Sequence, residues 1–279
     1  MLPGSPLTLG SDGTGAPPVR GCLERDVLCR LAALADVAGA HGQKERVALL
    51  EAGHRVITYD RRGFGQSSQP SSGYDYDTFA ADLHKLLTDL DLRDIVLGGM
   101  SMGGGEVARY LGTYGPERVS KAAIISGVPP FLLKTPDNPE GVDKAVFDSI
   151  LAAIAKDRAA YQTAFLKDFY NTDVYLGSRI SEEVVRDSWN IAVSASPVGT
   201  AACVPTWYTD FRADLPKIDV PTLVMHGDAD RILPVAACGI KTHQAIKDSR
   251  LVVVENAPHG LLWTHADEVN KALLDFIAR

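Results

Sequence analysis

From Gln43 onward, two hydrophobic periods take turns along the chain. Gln43–Ala52 has helical spacing and is stopped by Gly53, and Arg55–Tyr59 (RVITY) is an apolar run that predicts a buried strand. The polar, glycine-containing loop Asp60–Ser68 (DRRGFGQSS) follows. Tyr76–Leu90 then sets Phe79, Leu83, Leu86, Leu87 and Leu90 on one helical stripe. Ile95–Leu97 predicts a short strand running straight into Gly98, Gly99 and Ser101, with a helix over Gly104–Tyr114 and a strand over Val119–Ser126. Short apolar strands alternating with amphipathic helices are the sequence form of a parallel sheet with helices on both faces.

The alternation breaks after Gly127. Residues 128–217 are mostly helical and punctuated by proline, with helices predicted over Asp143–Lys156, Arg158–Phe169, Ser181–Val193 and Thr200–Phe211. Strand and helix then return: Thr222–His226, a helix near Val235–Ile246, Leu251–Val254 and a last helix over Ala266–Ile277. Because the sheet pattern resumes, residues 128–217 read as a helical cap inserted into one α/β domain formed by 43–127 and 218–279. A separate domain is the weaker reading.

Composition narrows the function classes. The chain has 279 residues, 46% hydrophobic, with 28 basic and 35 acidic side chains and a net charge of -7. A single chain of this length buries about 75% of its unfolded surface, so a large core is available. The acidic balance argues against nucleic acid as a partner, since phosphate tracking needs a basic face. No apolar run reaches the roughly 20 residues that span a bilayer, so a membrane is not expected either. Met1–Pro18 lacks the charged and apolar regions of a secretory signal, and a cytoplasmic location is the expectation. Cys22, Cys29, Cys203 and Cys238 are scattered, without the spacing of a metal site or a disulfide scaffold. No cofactor or metal is implied.

Candidate chemistry begins at Gly99-Met100-Ser101-Met102-Gly103, a G-x-S-x-G sequence between a predicted strand and a predicted helix. A sharp turn there lifts the serine hydroxyl above the sheet, and the close approach of strand and helix requires glycine on both sides. The following helix directs its first amides at negative charge developing on a substrate oxygen. A serine hydroxyl needs a base to take its proton, and that base needs an orienting carboxylate. Of seven histidines, His259 lies in the loop Asn256–Gly260 between the last strand and the last helix, whereas His226 ends a strand and His265 opens a helix. His41, His54, His84 and His243 read as surface or structural residues. The strand before Gly227-Asp228-Ala229-Asp230 offers two carboxylates, of which Asp230 is favoured because Asp228 is placed to shape the turn. Gly63 and Gly65 do not lead into a helix as a dinucleotide fingerprint would, so they serve the turn.

With these residues in place, the chain resembles the α/β-hydrolases, and specifically the cofactor-free bacterial haloperoxidases, also known as non-haem chloroperoxidases, perhydrolases or esterases. The resemblance covers 43–279 and rests on Arg55–Pro70 (RVITYDRRGFGQSSQP), Gly99–Tyr110 (GMSMGGGEVARY), Pro130–Gly141 (PFLLKTPDNPEG), Trp207–Pro234 and Ala257–Asn270. It implies Ser101 as nucleophile, Asp230 as orienter, His259 as base, the Met102 amide as one oxyanion donor, a helical cap and an oligomer. Phe131, Leu132, Trp207 and Trp263 become candidate pocket liners, although such residues are more often plain core. The implied partners are a small carboxylic ester or acid, hydrogen peroxide and halide. Attack by Ser101 gives an acyl-enzyme that water hydrolyses or that peroxide converts to a peracid. A lactonase or amidase on the same three residues is the neighbouring alternative.

The N-terminal segment departs from this family. Relatives carry a His-Gly-x-Pro loop after an early strand, and the amide after its glycine is the second oxyanion donor. Here the loop should fall near Arg30, after Asp26–Cys29, which resembles the end of such a strand. No such motif stands there, and no clear alternating strand occurs before Gly42. Arg30–Leu34 can be encoded so that, with two bases restored before it, the shifted frame reads His-Gly-Trp-Pro-Leu. A frameshift within 1–42 and a divergent, poorly ordered N-terminus are therefore the two accounts of the segment. Taken as written, loss of one oxyanion donor costs about 100 to 1000-fold in rate. A weakly active or non-catalytic binding protein of the same fold then becomes the third functional expectation.

Overall fold

The computed structural model describes residues 42–278 in full and 26–30 as backbone. Residues 1–25 and 31–41 lie outside the described residues, and with them the stretch after Arg30 where the second oxyanion donor is expected, and His41.

Among the described residues, six parallel strands form one sheet in the order β2-β1-β3-β4-β5-β6, where β1 is Asp26–Arg30, β2 Arg55–Ile57, β3 Ile95–Met100, β4 Val119–Ile125, β5 Thr222–Gly227 and β6 Ser249–Val254. β1 pairs with β2 on one side and β3 on the other, although its sequence shows no alternation. An inner parallel strand needs none, because it meets covering layers on both faces. β2 corrects the expectation of a buried strand over Arg55–Tyr59: it stops at Ile57, is paired only through β1 among the described strands, and is exposed to half-buried. By contrast every residue of β3 and β5 is buried.

The helices of the sheet layer are α1 (Gln43–Glu51), α2 (Tyr76–Asp89) and α3 (Met102–Tyr114), then α8 (Gly239–Ala245), α9 (Leu261–Thr264) and α10 (Ala266–Ile277) after the insertion. Asp75 caps α2 by accepting from the Thr78 amide at 2.8 Å. Between β4 and β5 lie α4 (Lys144–Tyr170), α5 (Thr172–Tyr175), α6 (Glu182–Ser194), α7 (Pro197–Cys203) and a 3-10 turn, Val204–Tyr208. α4 is the two predicted helices joined at Asp157, whose backbone leaves the helix and whose carboxylate caps the second half through the Ala160 amide, 2.9 Å away. Where a single helix was expected over Thr200–Phe211, α7 starts earlier, at a Ser196 cap with Pro197 in its first turn, and gives way to the 3-10 turn. Among the described residues, no helix is long and apolar enough to cross a membrane.

Register sets the site. Met100 pairs with Ile125, Ile125 with Met225, and Gly227 with Val254, so β3, β4, β5 and β6 end together. The loops after them leave at one edge, beside the point between β1 and β3 where the chain order reverses. In open parallel sheets this is where ligands bind.

Candidate active site

Ser101 stands between β3 and α3 with φ 54° and ψ -118°, a region that L-residues rarely enter and that costs about 1–3 kcal/mol. Surrounding bonds hold it there: its amide donates to the Ile125 carbonyl at 2.9 Å, and its carbonyl accepts from the Gly104 amide at 3.0 Å. The turn leaves no room at Gly99, where a Cβ would lie 2.2 Å from the Gly103 carbonyl oxygen. Met102 is the first residue of α3, so its amide has no acceptor within the helix and lies beside the serine. Its sulfur accepts from Trp207 Nε1 at 3.2 Å.

Three buried side chains meet above the sheet edge. His259 Nε2 lies 3.0 Å from Ser101 Oγ, and His259 Nδ1 lies 2.7 Å from Asp230 Oδ2. The other carboxylate oxygen of Asp230 accepts from the amides of Ile232 and Leu233, both at 2.8 Å. Burial alone would push the Asp230 pKa up, but electrostatic attraction to His259 and hydrogen bonds from His226 and His259 outweigh it and hold the carboxyl below the usual range. The turn-shaping role expected of Asp228 therefore belongs to Asp230 itself. Asp228 accepts instead from the Asn256 amide at 2.5 Å and ties the loop of Asp230 to that of His259.

The insertion braces both loops. Phe169, at the end of α4, meets the His259 ring edge to face at 5.0 Å, and its carbonyl accepts from the Gly260 amide at 2.7 Å. Asn171 donates to the Ala229 carbonyl at 3.0 Å, and Tyr175 to the Asn256 carbonyl at 2.6 Å. The stripe Tyr161, Phe165, Phe169, four residues apart, was the available signal in the sequence, but nothing in it says which loop the stripe would meet.

A cavity of about 280 Å³ opens beside Ser101, walled mainly by Leu132, Phe147, Ile150, Phe165 and Trp207. Leu132 and Trp207 thus line it, but two of the expected liners do not. Phe131 lies under the Arg212 guanidinium at 4.7 Å, and Trp263 faces α1, with Lys44 Nζ 4.7 Å above its ring. Neighbours in an extended segment point to opposite sides, so Leu132 turns inward and Phe131 outward. In α9, Leu261 and Leu262 take the buried face and leave Trp263 at its margin. Of the remaining histidines, His265 Nδ1 is 2.9 Å from the Thr264 hydroxyl, His243 Nδ1 is 2.8 Å from the Ser249 hydroxyl, and His84 stacks on Tyr114.

A parallel sheet with a serine at a strained strand-to-helix turn, followed along the chain by an aspartate and a histidine on later strand-end loops, defines an α/β-hydrolase. Residues 39–266 match the profile of the alpha/beta hydrolase fold, and the chain belongs to that family, in its non-haem haloperoxidase group. A Synechocystis sp. protein provisionally named a non-heme chloroperoxidase is 62% identical over 86% of this chain and 87% of its own length. The bifunctional esterase/perhydrolase DCH of Acinetobacter calcoaceticus is 37% identical over 82% of this chain and 83% of its own. The crystal structure of a bromoperoxidase from Bacillus anthracis superposes with a TM-score of 0.88 at 44% identity, covering 91% of this chain and 92% of that one.

Proposed function

We propose that the protein is a serine hydrolase that forms an acyl-enzyme from small carboxylic esters or acids and passes the acyl group to water or to hydrogen peroxide. The observation that carries this is the unbroken line Asp230 Oδ2, His259, Ser101 Oγ, with steps of 2.7 and 3.0 Å, opening on an apolar cavity. Ser101 Oγ attacks the carbonyl carbon while its proton moves to His259 Nε2, and Asp230 keeps the imidazolium oriented. The Met102 amide and the positive end of α3 stabilise the oxyanion. Collapse of the tetrahedral intermediate releases the alcohol, which takes the proton from His259. Water then releases the acid, or hydrogen peroxide releases the peracid by the same route. Free peracid oxidises halide in solution, giving carboxylic acid and hypohalous acid with uptake of one proton. The pairing of esterase and perhydrolase in the name of the Acinetobacter relative supports one site serving both reactions.

A fluorophosphonate probe tests the nucleophile. Labelling of the protein that disappears in Ser101→Ala and His259→Ala is the expected result, and an unlabelled wild type would refute the proposal. Halogenation should require a carboxylate such as acetate together with peroxide, and should be lost in Ser101→Ala.

A further inference from the structure

His226 is a second histidine on the same carboxylate. It lies on β5, fully buried, and its Nε2 is 2.8 Å from the Leu233 carbonyl oxygen and 3.3 Å from Asp230 Oδ2. Both neighbours are acceptors, because one is a carbonyl and the other an ionised carboxylate that takes a hydrogen bond from His259. The proton on this ring therefore sits on Nε2. His226 Nδ1 is buried with no hydrogen-bond partner among the described residues. The ring cannot swing away easily, since Gly239 packs so closely that a Cβ there would lie 2.9 Å from Nδ1.

The Asp230 carboxylate is thereby surrounded. Two backbone amides hold Oδ1, while His259 from its loop and His226 from β5 approach Oδ2. The amide of Leu233 donates to Asp230 and its carbonyl accepts from His226, so the segment 230–233 is wrapped around the His226 ring. Without that ring, Asp230 Oδ2 is free to rotate off the His259 axis and Leu233 loses its anchor.

We propose that His226 is a positioning residue for the reaction: its Nε2–H, shared between Leu233 and Asp230, holds the carboxylate on the axis along which His259 takes the proton of Ser101. This rests on the reading of Ser101, His259 and Asp230 given above. The role requires a donor at the Nε2 position and no change of charge, which a glutamine can supply and a leucine cannot. Hydrogen bonds to charged groups are worth enough to predict that His226→Leu lowers kcat by about 10 to 100-fold. His226 does not itself line the cavity, so the loss should fall on kcat more than on KM. His226→Gln should recover most of kcat.

The experiment measures ester hydrolysis by wild type, His226→Leu and His226→Gln, with thermal denaturation as a check on folding and fluorophosphonate labelling of the wild type alongside. A loss mainly in kcat that glutamine repairs supports the proposal. A folded His226→Leu with wild-type kcat, or equal losses in both variants, overturns it while labelling at Ser101 leaves the hydrolase reading intact. An unlabelled wild type removes that reading and the proposal with it. Should His226→Leu not fold, nitrogen-15 NMR of the wild-type histidines decides: the Nε2–H tautomer at His226 is expected, and the Nδ1–H tautomer overturns the proposal.

Discussion

The wall of the cavity makes chain length the variable to test first. About 280 Å³ lies beside Ser101 behind a mainly aliphatic and aromatic lining. An apolar cavity of about 150 Å³ holds a benzene ring, so this one accepts an acyl chain well beyond acetyl. Each methylene that leaves water on binding contributes about 0.8 kcal/mol. Going from an acetate to a hexanoate ester adds four, so kcat/KM should rise by up to about 200-fold if all are fully buried in the transition state. Hydrolysis of a p-nitrophenyl ester series from acetate to hexanoate, at fixed pH and below saturation, measures the slope. A flat or falling series in the wild type refutes the reasoning.

The matching perturbation is Ile150→Trp. Ile150 lines the cavity from α4 and is only half-buried, so an indole there fills the space without forcing apart a closed core. The variant should lose the preference for hexanoate while its activity on acetate stays close to wild type. If it lowers every ester by one factor, the cavity is not the acyl site and the change has disturbed Ser101 or His259 instead.

Three further outcomes follow from buried groups and close contacts. Glu45 on α1 is buried, and among the described residues neither carboxylate oxygen has a partner; desolvation raises its pKa from 4.5 to about 8. It is protonated when folded and ionised when unfolded between those values, so stability should fall as pH rises from 4.5 towards 8 and then level off. Glu45→Gln should remove that slope and gain up to about 5 kcal/mol at pH 8, and parallel pH profiles in urea denaturation would refute it. Arg61 and Glu106 form a buried ion pair at 2.8 Å, so Glu106→Ala strands a guanidinium and should cost about 3–5 kcal/mol in the same assay. Gly99→Ala puts a methyl against a backbone oxygen that cannot turn aside, and displacing Ser101 by about 1 Å should cost about 100-fold in kcat/KM; a variant with wild-type activity would show that the turn tolerates a Cβ.

Legibility in the sequence followed the locality of the signal. α10 was readable to the residue, since Ala266–Ile277 carries its own stripe and needs no knowledge of its neighbours. Ser101, Asp230 and His259 were readable because each follows a strand, and strand ends in a parallel sheet fall on one edge. β1 was hard to see: it lies inside the sheet, where hydrogen bonds to β2 and β3 rather than an alternating pattern define it. RVITY looked buried for the converse reason, as an apolar composition does not reveal a position at the margin of the described strands. The pocket was half legible. Residues 131 and 132 are both apolar, and only the direction of the backbone after Pro130 decides that Leu132 faces the cavity and Phe131 faces Arg212. The division of roles between Asp228 and Asp230 does not hold, because Asp230 shapes its turn with one oxygen and meets His259 with the other, while Asp228 ties the turn to the loop of His259.

The insertion reaches the site from both halves of α4, on either side of Asp157, and the two halves do different amounts of the work. Before that residue α4 presents Phe147 and Ile150 to the cavity. Beyond it the helix adds Tyr161 and Phe165 to the cavity wall, then runs to Phe169 and Tyr170, against His259 and Gly260, and the chain reaches the acid loop through Asn171. Arg231, next to Asp230, adds a bidentate pair to Asp173 at 2.7 and 3.0 Å. That pair is partly exposed and worth little alone, but it joins the same two parts of the chain as the Asn171 bond. Substitutions in the first half can therefore change which acyl group fits without moving the proton-transfer line. Substitutions near residues 169–175 reach Asp230 and His259 at once. The first half of α4 thus bears on the acyl group alone, whereas the second half, through Phe165 and Phe169, bears on both the cavity and the base.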